Sequence, residues 1–141
     1  MKLQERMLRA IKQRAGNVIL RQELAKLGSA SQVTEALKAL QARSVIVRIG
    51  TGVYAKTRQS SVTGATIPAG SLETLGVEAL RKLRVPVAPG KAAAAYNAGA
   101  TTQIPGVFIV NTGRQRISRR ISVGGRTLKY ESDFGRAATT A

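Results

Sequence analysis

The segment over residues 28–32, Gly-Ser-Ala-Ser-Gln, constrains the fold of this chain more than any other. Ser29 and Gln32 fit a capping box, in which each side chain accepts a hydrogen bond from the other residue's backbone N–H. A helix is therefore expected to begin at Ala30 and to continue over residues 30–43. Its spacing predicts a buried stripe formed by Val33, Ala36, Leu37 and Leu40.

The elements around this helix follow a definite order. Residues 3–15 carry apolar side chains at helical spacing, residues 18–20 form a short apolar run typical of a strand, and residues 21–27 suit a short helix. Two β-rich runs within residues 45–56 surround a glycine-containing turn and predict a hairpin. A helix, a small strand, two helices joined by a turn and a final hairpin indicate a winged helix-turn-helix over residues 1–58.

The second half of the chain predicts a small α+β domain over residues 67–135, after a small, polar connector at 59–66. Ser71 is the expected N-cap of a helix that runs to about Arg84. The sequence then predicts an alanine-rich helix at 91–98 and three strands at 106–111, 115–123 and 126–131. The tail at 136–141 is expected to be frayed. The predicted fold class is α+β, with the second domain docked closely enough on the first to share a core.

The charge balance points to a polyanionic partner. Lys and Arg total 23 against 7 acidic residues, which gives a formal net charge of +16. Self-repulsion at this density destabilises a compact fold unless an anionic partner lies against it. Nucleic acid is the commonest such partner, ahead of an anionic membrane or an acidic protein.

The residue inventory excludes several kinds of chemistry. The chain has no Cys and no His, which excludes disulfides, the usual zinc sites and thiol or imidazole catalysis. The carboxylates lack a paired spacing that would set a general acid against a base, so we expect no enzyme, no metal and no cofactor. The N-terminal residues lack the apolar stretch of a signal peptide, and no apolar run could span a bilayer. We therefore expect a cytoplasmic protein with no membrane partner.

The helix at 30–43 is the candidate recognition helix. Its N-terminal half would reach base edges in the major groove of double-stranded DNA. Glu35 on the same face could accept a hydrogen bond from a cytosine amine, or it could only repel phosphate or pair with a nearby basic side chain. The alternative without a binding role is an amphipathic core helix whose polar face is solvated. The candidate base-contacting residues are Ser31, Gln32, Thr34 and Lys38.

Two further groups of basic residues are candidates for nucleic-acid contact. In the hairpin, Arg48, Thr51, Lys56 and Arg58 would contact phosphate or the minor groove, whereas Tyr54 is expected to pack on the helices. In the second half, a second basic surface for DNA or protein is formed by Arg114, Arg116, Arg119, Arg120 and Arg126. The alternative for this second group is protection of an exposed strand edge. The basic stripe of Arg6, Arg9 and Lys12 on the first helix is expected to be a solvated face.

The stretch GNVILRQELAKLGSASQVTEALKALQARSVIVRIGTGVYAKTR resembles the winged-helix domain of the AbiE-type abortive-infection antitoxins and their short relatives. The segment APGKAAAAYNAGATTQIPGVFIVNTGR is similar to the part that follows the winged helix in those relatives, so the resemblance covers roughly residues 3–131. It implies DNA binding and self-regulation of an operon. The matching positions are Gly16, Val18, Leu24, Leu27, Gly28, Ser29, Val33, Ala36, Leu37, Leu40, Ile46, Arg48, Gly52 and Tyr54.

Together these patterns predict a sequence-specific transcriptional regulator that binds double-stranded DNA and represses its own toxin–antitoxin or mobile-element operon. A homodimer would bind an inverted repeat with half-sites about one helical turn, or a multiple of it, apart. The alternative is a protein-interaction module whose basic second half neutralises an acidic partner such as a nucleotidyltransferase toxin. A third reading is a nucleic-acid binder without sequence preference, for which charge alone would suffice.

Overall fold

The computed structural model describes residues 3–89, 99, 109–113, 117, 119–131 and 137–138. The first half begins with one long helix, a short strand and two further helical segments joined by a 3-10 turn, and it ends with two strands. In chain order these elements are α1 (Leu3–Gln13), β1 (Val18–Leu20), α2 (Arg21–Leu24), the 3-10 turn Ala25–Leu27, α3 (Ala30–Ala42), β2 (Ile46–Gly50) and β3 (Val53–Gln59).

The second half has one long helix and several short strands. Its described elements are β4 (Thr66–Pro68), α4 (Leu72–Lys82), β5 (Ala88–Pro89), β6 (Ile109–Asn111), β7 (Ser122–Val123), β8 (Arg126–Thr127), β9 (Lys129–Glu131) and β10 (Ala137–Ala138). The α+β fold class predicted from the sequence is confirmed. No helix among the residues described has the length and apolar character needed to cross a membrane.

Local sequence signals account for the residues at which α3 and α4 begin. Ser29 Oγ accepts a hydrogen bond from Gln32 N at 3.2 Å, and Gln32 Oε1 accepts one from Ser29 N at 3.0 Å. This is the predicted capping box, and it supplies partners to backbone N–H groups that the helix itself leaves free. Ser71 caps α4 in a similar way, because its hydroxyl accepts a hydrogen bond from Thr74 N at 3.2 Å.

Strands β1, β3 and β2 form an antiparallel sheet in that order, and β4 pairs with the far end of β3. Val18 lies opposite Ala55 and Leu20 opposite Val53, which fixes the register of β1. The β2–β3 register shifts between Arg48 and Gly50, at a bulge beside the hairpin turn. The predicted hairpin is therefore present, and its second strand is longer than expected.

The sheet has packed side chains on both faces. One face packs on α1, α2 and α3, in a cluster that includes Met7, Ile11, Leu24, Val33, Leu37 and Leu40 together with Ile19 and Tyr54 of the sheet. The other face packs on α4 and the short strands, in a cluster that joins Val18, Leu20, Val53 and Ala55 to Leu72, Leu75, Ala79, Leu80, Ile121, Leu128 and Tyr130. All of β1 is buried because it is covered from both sides. The two halves share a core, as expected.

The short strands of the second half arrange in two sheets. One sheet has the order β10-β9-β6-β5, with β6 and β9 parallel, and β7 pairs with β8 across a turn at Gly124 and Gly125. Both glycines have a positive φ, which a side chain would oppose.

Three sequence predictions about local structure are wrong here. Residues 59–66 are not a connector throughout, because Gln59 belongs to β3 and pairs with Thr66 of β4. Residues 115–123 are not one strand, since the described residues before Ser122 have no strand geometry. The tail at 136–141 contains β10, which pairs with β9. The alanine-rich helix expected at 91–98 lies outside the described residues.

Candidate nucleic-acid interface

The exposed face of α3 carries the polar side chains Ser31, Gln32, Glu35 and Lys38. Ser31 and Lys38 both lie on this face, opposite the buried stripe. Lys38 Nζ lies 3.9 Å from Glu35 Oε1, and both side chains are more than two-thirds exposed. Such an exposed pair contributes little to stability, so the Lys38 ammonium remains available to another acceptor.

The other two predicted base-contacting residues have structural partners. Gln32 is exposed, but its Oε1 is the acceptor in the capping box. Thr34 is half-buried, and its hydroxyl donates to the carbonyl oxygen of Ala30 at 2.9 Å while it accepts from Arg21 Nη2 at 2.8 Å. The polar atoms of Ser31 and Lys38 are therefore freer to reach a base edge than those of Gln32 and Thr34.

Sequence reasoning missed Arg21, which lies at the start of α2. Its Nη2 donates to the carbonyl oxygen of Ala30 and to Thr34 Oγ1, both at 2.8 Å, so the guanidinium lies against the first turn of α3. Its own backbone N–H donates to the carbonyl oxygen of Gly52 at 2.9 Å. Arg21 thus connects α3 with the β2–β3 turn. No local sequence pattern signals these contacts, because the Thr34 partner is 13 residues away.

The β2–β3 turn, residues 50–52, is surrounded by arginines. Arg48 folds back on it, since its Nε donates to the carbonyl oxygen of Gly50 at 3.2 Å and its Nη2 donates to Thr51 Oγ1 at 3.4 Å. Gly52 has a φ of 68°, which suits glycine in such a turn. Of the predicted hairpin residues, Arg48 and Thr51 are therefore neighbours.

Lys56 and Arg58 lie away from that turn. Alternation along β3 puts Tyr54, Lys56 and Arg58 on one face, which is the face that packs on α1–α3. Lys56 Nζ donates to the carbonyl oxygen of Arg14 at 2.6 Å, at the end of α1. Arg58 is exposed and lies beside β4, opposite Ile67. Tyr54 is buried, as predicted.

The structure brings Arg119 of the second half to the β2–β3 turn. Arg119 Nη1 donates to the carbonyl oxygen of Thr51 at 2.8 Å, although the two residues are 68 positions apart. A Cβ on Gly50 would lie only 2.8 Å from the carbonyl oxygen of Arg120, so the segment containing Arg119 and Arg120 packs tightly on the turn. Gly50 is therefore a site of close backbone approach.

Tyr130 holds the backbone of Arg119 by a hydrogen bond. The phenol is fully buried, and its hydroxyl donates to the carbonyl oxygen of Arg119 at 2.8 Å. Burial raises the pKa of Tyr130 to about 12, against a smaller lowering effect of the nearby Arg119 charge. The phenol is therefore neutral, and it remains a hydrogen-bond donor throughout the physiological pH range.

The other basic residues of the second half do not share this position. Arg126 forms an ion pair with Glu73 at the start of α4, and this hydrogen bond lowers the pKa of Glu73. Arg120 is exposed. Arg114 and Arg116 lie outside the described residues. Of the described members of the predicted second basic surface, Arg119 thus lies at the hairpin turn and Arg126 at the start of α4.

Acidic residues are used largely to hold the fold together. Glu23 pairs with Arg14 and with Lys82, whose Nζ lies 3.0 Å from Glu23 Oε1. Burial raises the pKa of Glu23, but the hydrogen bond from Leu20 N–H and the charges of Lys82 and Arg14 together lower it by more. Other carboxylates contact partners in the same way, as in Glu5 with Arg43 and Glu78 with the backbone N–H of Val18. In the described part of the chain, no three acidic residues come together as a metal site would require.

Comparison with known proteins gives a family but no activity. No curated protein matches the chain significantly. A model of the family of unknown function DUF6088 matches residues 5–138, which covers both halves and the shared core. The chain therefore belongs to the DUF6088 family.

Proposed function

We propose that this protein is a transcriptional regulator that binds double-stranded DNA in a sequence-specific manner through a winged helix-turn-helix. The observation that carries the proposal is the position of α3. The first turn of α3 is capped and contacts Arg21, which joins α3 to the β2–β3 turn, and Ser31 and Lys38 are exposed on the helix. A helix with short polar side chains and a flanking basic hairpin matches the geometry with which such proteins enter the major groove.

The two kinds of contact have separate sources in this arrangement. Arginines around the β2–β3 turn would bind backbone phosphates, which gives affinity and fixes the orientation of the protein on the duplex. Ser31 and Lys38 would contact base edges, with Lys38 suited to the acceptor atoms of guanine. Because the described carboxylates mostly pair within the fold, the surface charge left over is positive and favours a polyanion.

The expected target is the DNA upstream of the protein's own gene. The resemblance to AbiE-type antitoxins supports self-regulation of an operon in the cytoplasm, and a homodimer on an inverted repeat is the arrangement we propose. Neutralisation of a cognate toxin would be a separate activity.

The test is fluorescence anisotropy of the full chain on its own upstream duplex and on a scrambled duplex, across a salt series. We expect the upstream duplex to be preferred by roughly a thousandfold or more at physiological salt. Lys38→Ala should reduce this preference, whereas Lys129→Ala, which removes another exposed lysine, on β9, should leave it unchanged.

Two results would contradict the proposal. Equal and steeply salt-dependent binding to both duplexes would mean that charge alone causes binding. Absence of binding to either duplex would turn the search toward an acidic protein partner for the basic second half.

A further inference from the structure

A surface cleft lies where the two halves of the chain meet. It has a volume of about 380 Å³ and is formed by the start of α2, the β2–β3 turn, the end of α4 and Arg119. Its polar lining includes Arg21, Thr51 and Arg119, and Leu20 and Leu83 contribute apolar walls. Among the described residues that line the cleft there is no carboxylate, so its two guanidinium groups create a local positive potential.

Both arginines are held in place by contacts that leave further N–H donors free. Arg119 uses Nη1 for the carbonyl oxygen of Thr51, so its Nε and Nη2 have no partner among the described residues. Arg21 uses Nη2 for Ala30 and Thr34, and its Nε and Nη1 have no partner in the same part of the chain. A side chain already ordered loses less conformational entropy when it binds a ligand, which favours tight binding by these two groups.

We propose that this cleft binds one backbone phosphate of the duplex between Arg21 and Arg119. The inference rests on the proposed DNA-binding function and extends it, because it makes the second half of the chain part of the DNA interface. A guanidinium presents paired N–H groups that match phosphate oxygens, and a cation-lined cleft without carboxylates suits a phosphodiester.

The position of the cleft identifies the source of the phosphate. Arg21 contacts the first turn of α3, and Arg119 contacts the β2–β3 turn, so the cleft lies between the two elements expected to enter the grooves. A duplex that contacts both elements passes its sugar–phosphate backbone between them. The phosphate contact would therefore set the register of α3 on its site. Tyr130 acts as a positioning residue, since it holds the carbonyl oxygen of Arg119.

The experiment compares Arg119→Ala with Arg6→Ala in the full chain. Both variants remove one exposed arginine charge, but Arg6 lies on the solvated face of α1 and does not line the cleft. Arg119→Ala should weaken binding to the upstream and the scrambled duplex alike, by roughly tenfold, and reduce the salt slope by about one. Arg6→Ala should change neither quantity by a comparable amount. A thermal melt of each variant checks that the fold is intact.

A second variant separates charge from shape. Arg119→Lys keeps the charge but not the paired N–H groups, so it should recover only part of the lost affinity. Equal losses for Arg119→Ala and Arg6→Ala would overturn the inference, as would wild-type affinity for Arg119→Ala. A phosphate contact does not depend on the DNA sequence. The effect of Arg119→Ala on affinity can therefore be measured on the scrambled duplex even if the upstream duplex is not preferred. The failure of the regulator proposal and the failure of the phosphate site are thus distinguishable.

Discussion

The carboxylate of Glu78 on α4 accepts a hydrogen bond from the backbone N–H of Val18 at 2.7 Å, on the side of β1 that faces away from β3. Lys82, one turn later, donates to the carbonyl oxygen of Val18 at 2.6 Å. Glu23 accepts from the N–H of Leu20 at 2.8 Å. Strand β1 is at the edge of its sheet, so these side chains bind backbone groups that a neighbouring strand would otherwise pair with. Glu78 and Lys82 also attach α4 to the sheet.

Gly16→Ala should destabilise the protein through Glu78. An ideal Cβ at residue 16 would lie 2.5 Å from Glu78 Oε2, so the carboxylate would have to move away from Val18. We expect a loss of about 1–3 kcal/mol in the free energy of unfolding, measured by urea denaturation, because a buried N–H would lose its acceptor. In a Glu78→Ala background the same substitution should cost much less, and an undiminished cost there would contradict the steric explanation.

Glu23 should make the stability of the protein depend on acid pH. Its folded-state pKa lies below the usual 4.5, so its contribution is present above that value and is lost as pH falls through the lower, folded-state pKa. Glu23→Gln should therefore be less stable than the wild type near pH 7, and the difference should shrink on acidification. Urea midpoints across this range test the prediction, with Glu35→Gln at an exposed position of α3 as the control. A difference that grows on acidification would contradict it.

Ionisation of Tyr130 should reduce the stability of the folded protein at alkaline pH. Its pKa of about 12 exceeds the usual 10, so the stability contributed by the neutral phenol is complete below 10 and is lost as pH rises toward 12. Ultraviolet absorbance should show one phenol that ionises near 12 and disappears in Tyr130→Phe. The variant should also lose about 1 kcal/mol of stability with the hydrogen bond to Arg119. A phenol that ionises near 10 in the folded protein would mean that Tyr130 is accessible to water.

The parts of the structure that the sequence predicts are those with local signals. The capping box at Ser29, the apolar stripe of α3 and the glycines of the β2–β3 turn each act within a few residues, and all appear where expected. The sequence does not predict strand β4, because three residues are too few to show the alternation of polar and apolar side chains that indicates a strand.

The composition of the candidate site depends on contacts between distant residues. Arg119 reaches Thr51 across 68 positions, and Lys56 reaches the carbonyl oxygen of Arg14 across 42. Residue type alone does not distinguish Arg119 from Lys56 as candidates for contact with phosphate. Packing of α4 and the short strands on the far face of the sheet brings Arg119 to the turn, whereas alternation along β3 directs Lys56 toward the end of α1.

Substitutions at Ser29 and Ser31 should separate the stability of α3 from the DNA recognition that we propose for it. Ser29→Ala removes the N-cap hydroxyl and should cost about 1 kcal/mol of stability. Ser31 is exposed, and within the described part of the chain its hydroxyl has only a long contact of 3.4 Å to Ser29 Oγ, so Ser31→Ala should leave the urea midpoint nearly unchanged.

On DNA, Ser31→Ala should weaken binding to the upstream duplex more than to the scrambled one, because a lost base contact affects specific binding alone. Anisotropy on the two duplexes, measured beside the urea midpoint of each variant, makes the comparison. If Ser31→Ala weakens both duplexes equally, or neither, the N-terminal half of α3 does not read the sequence through this residue.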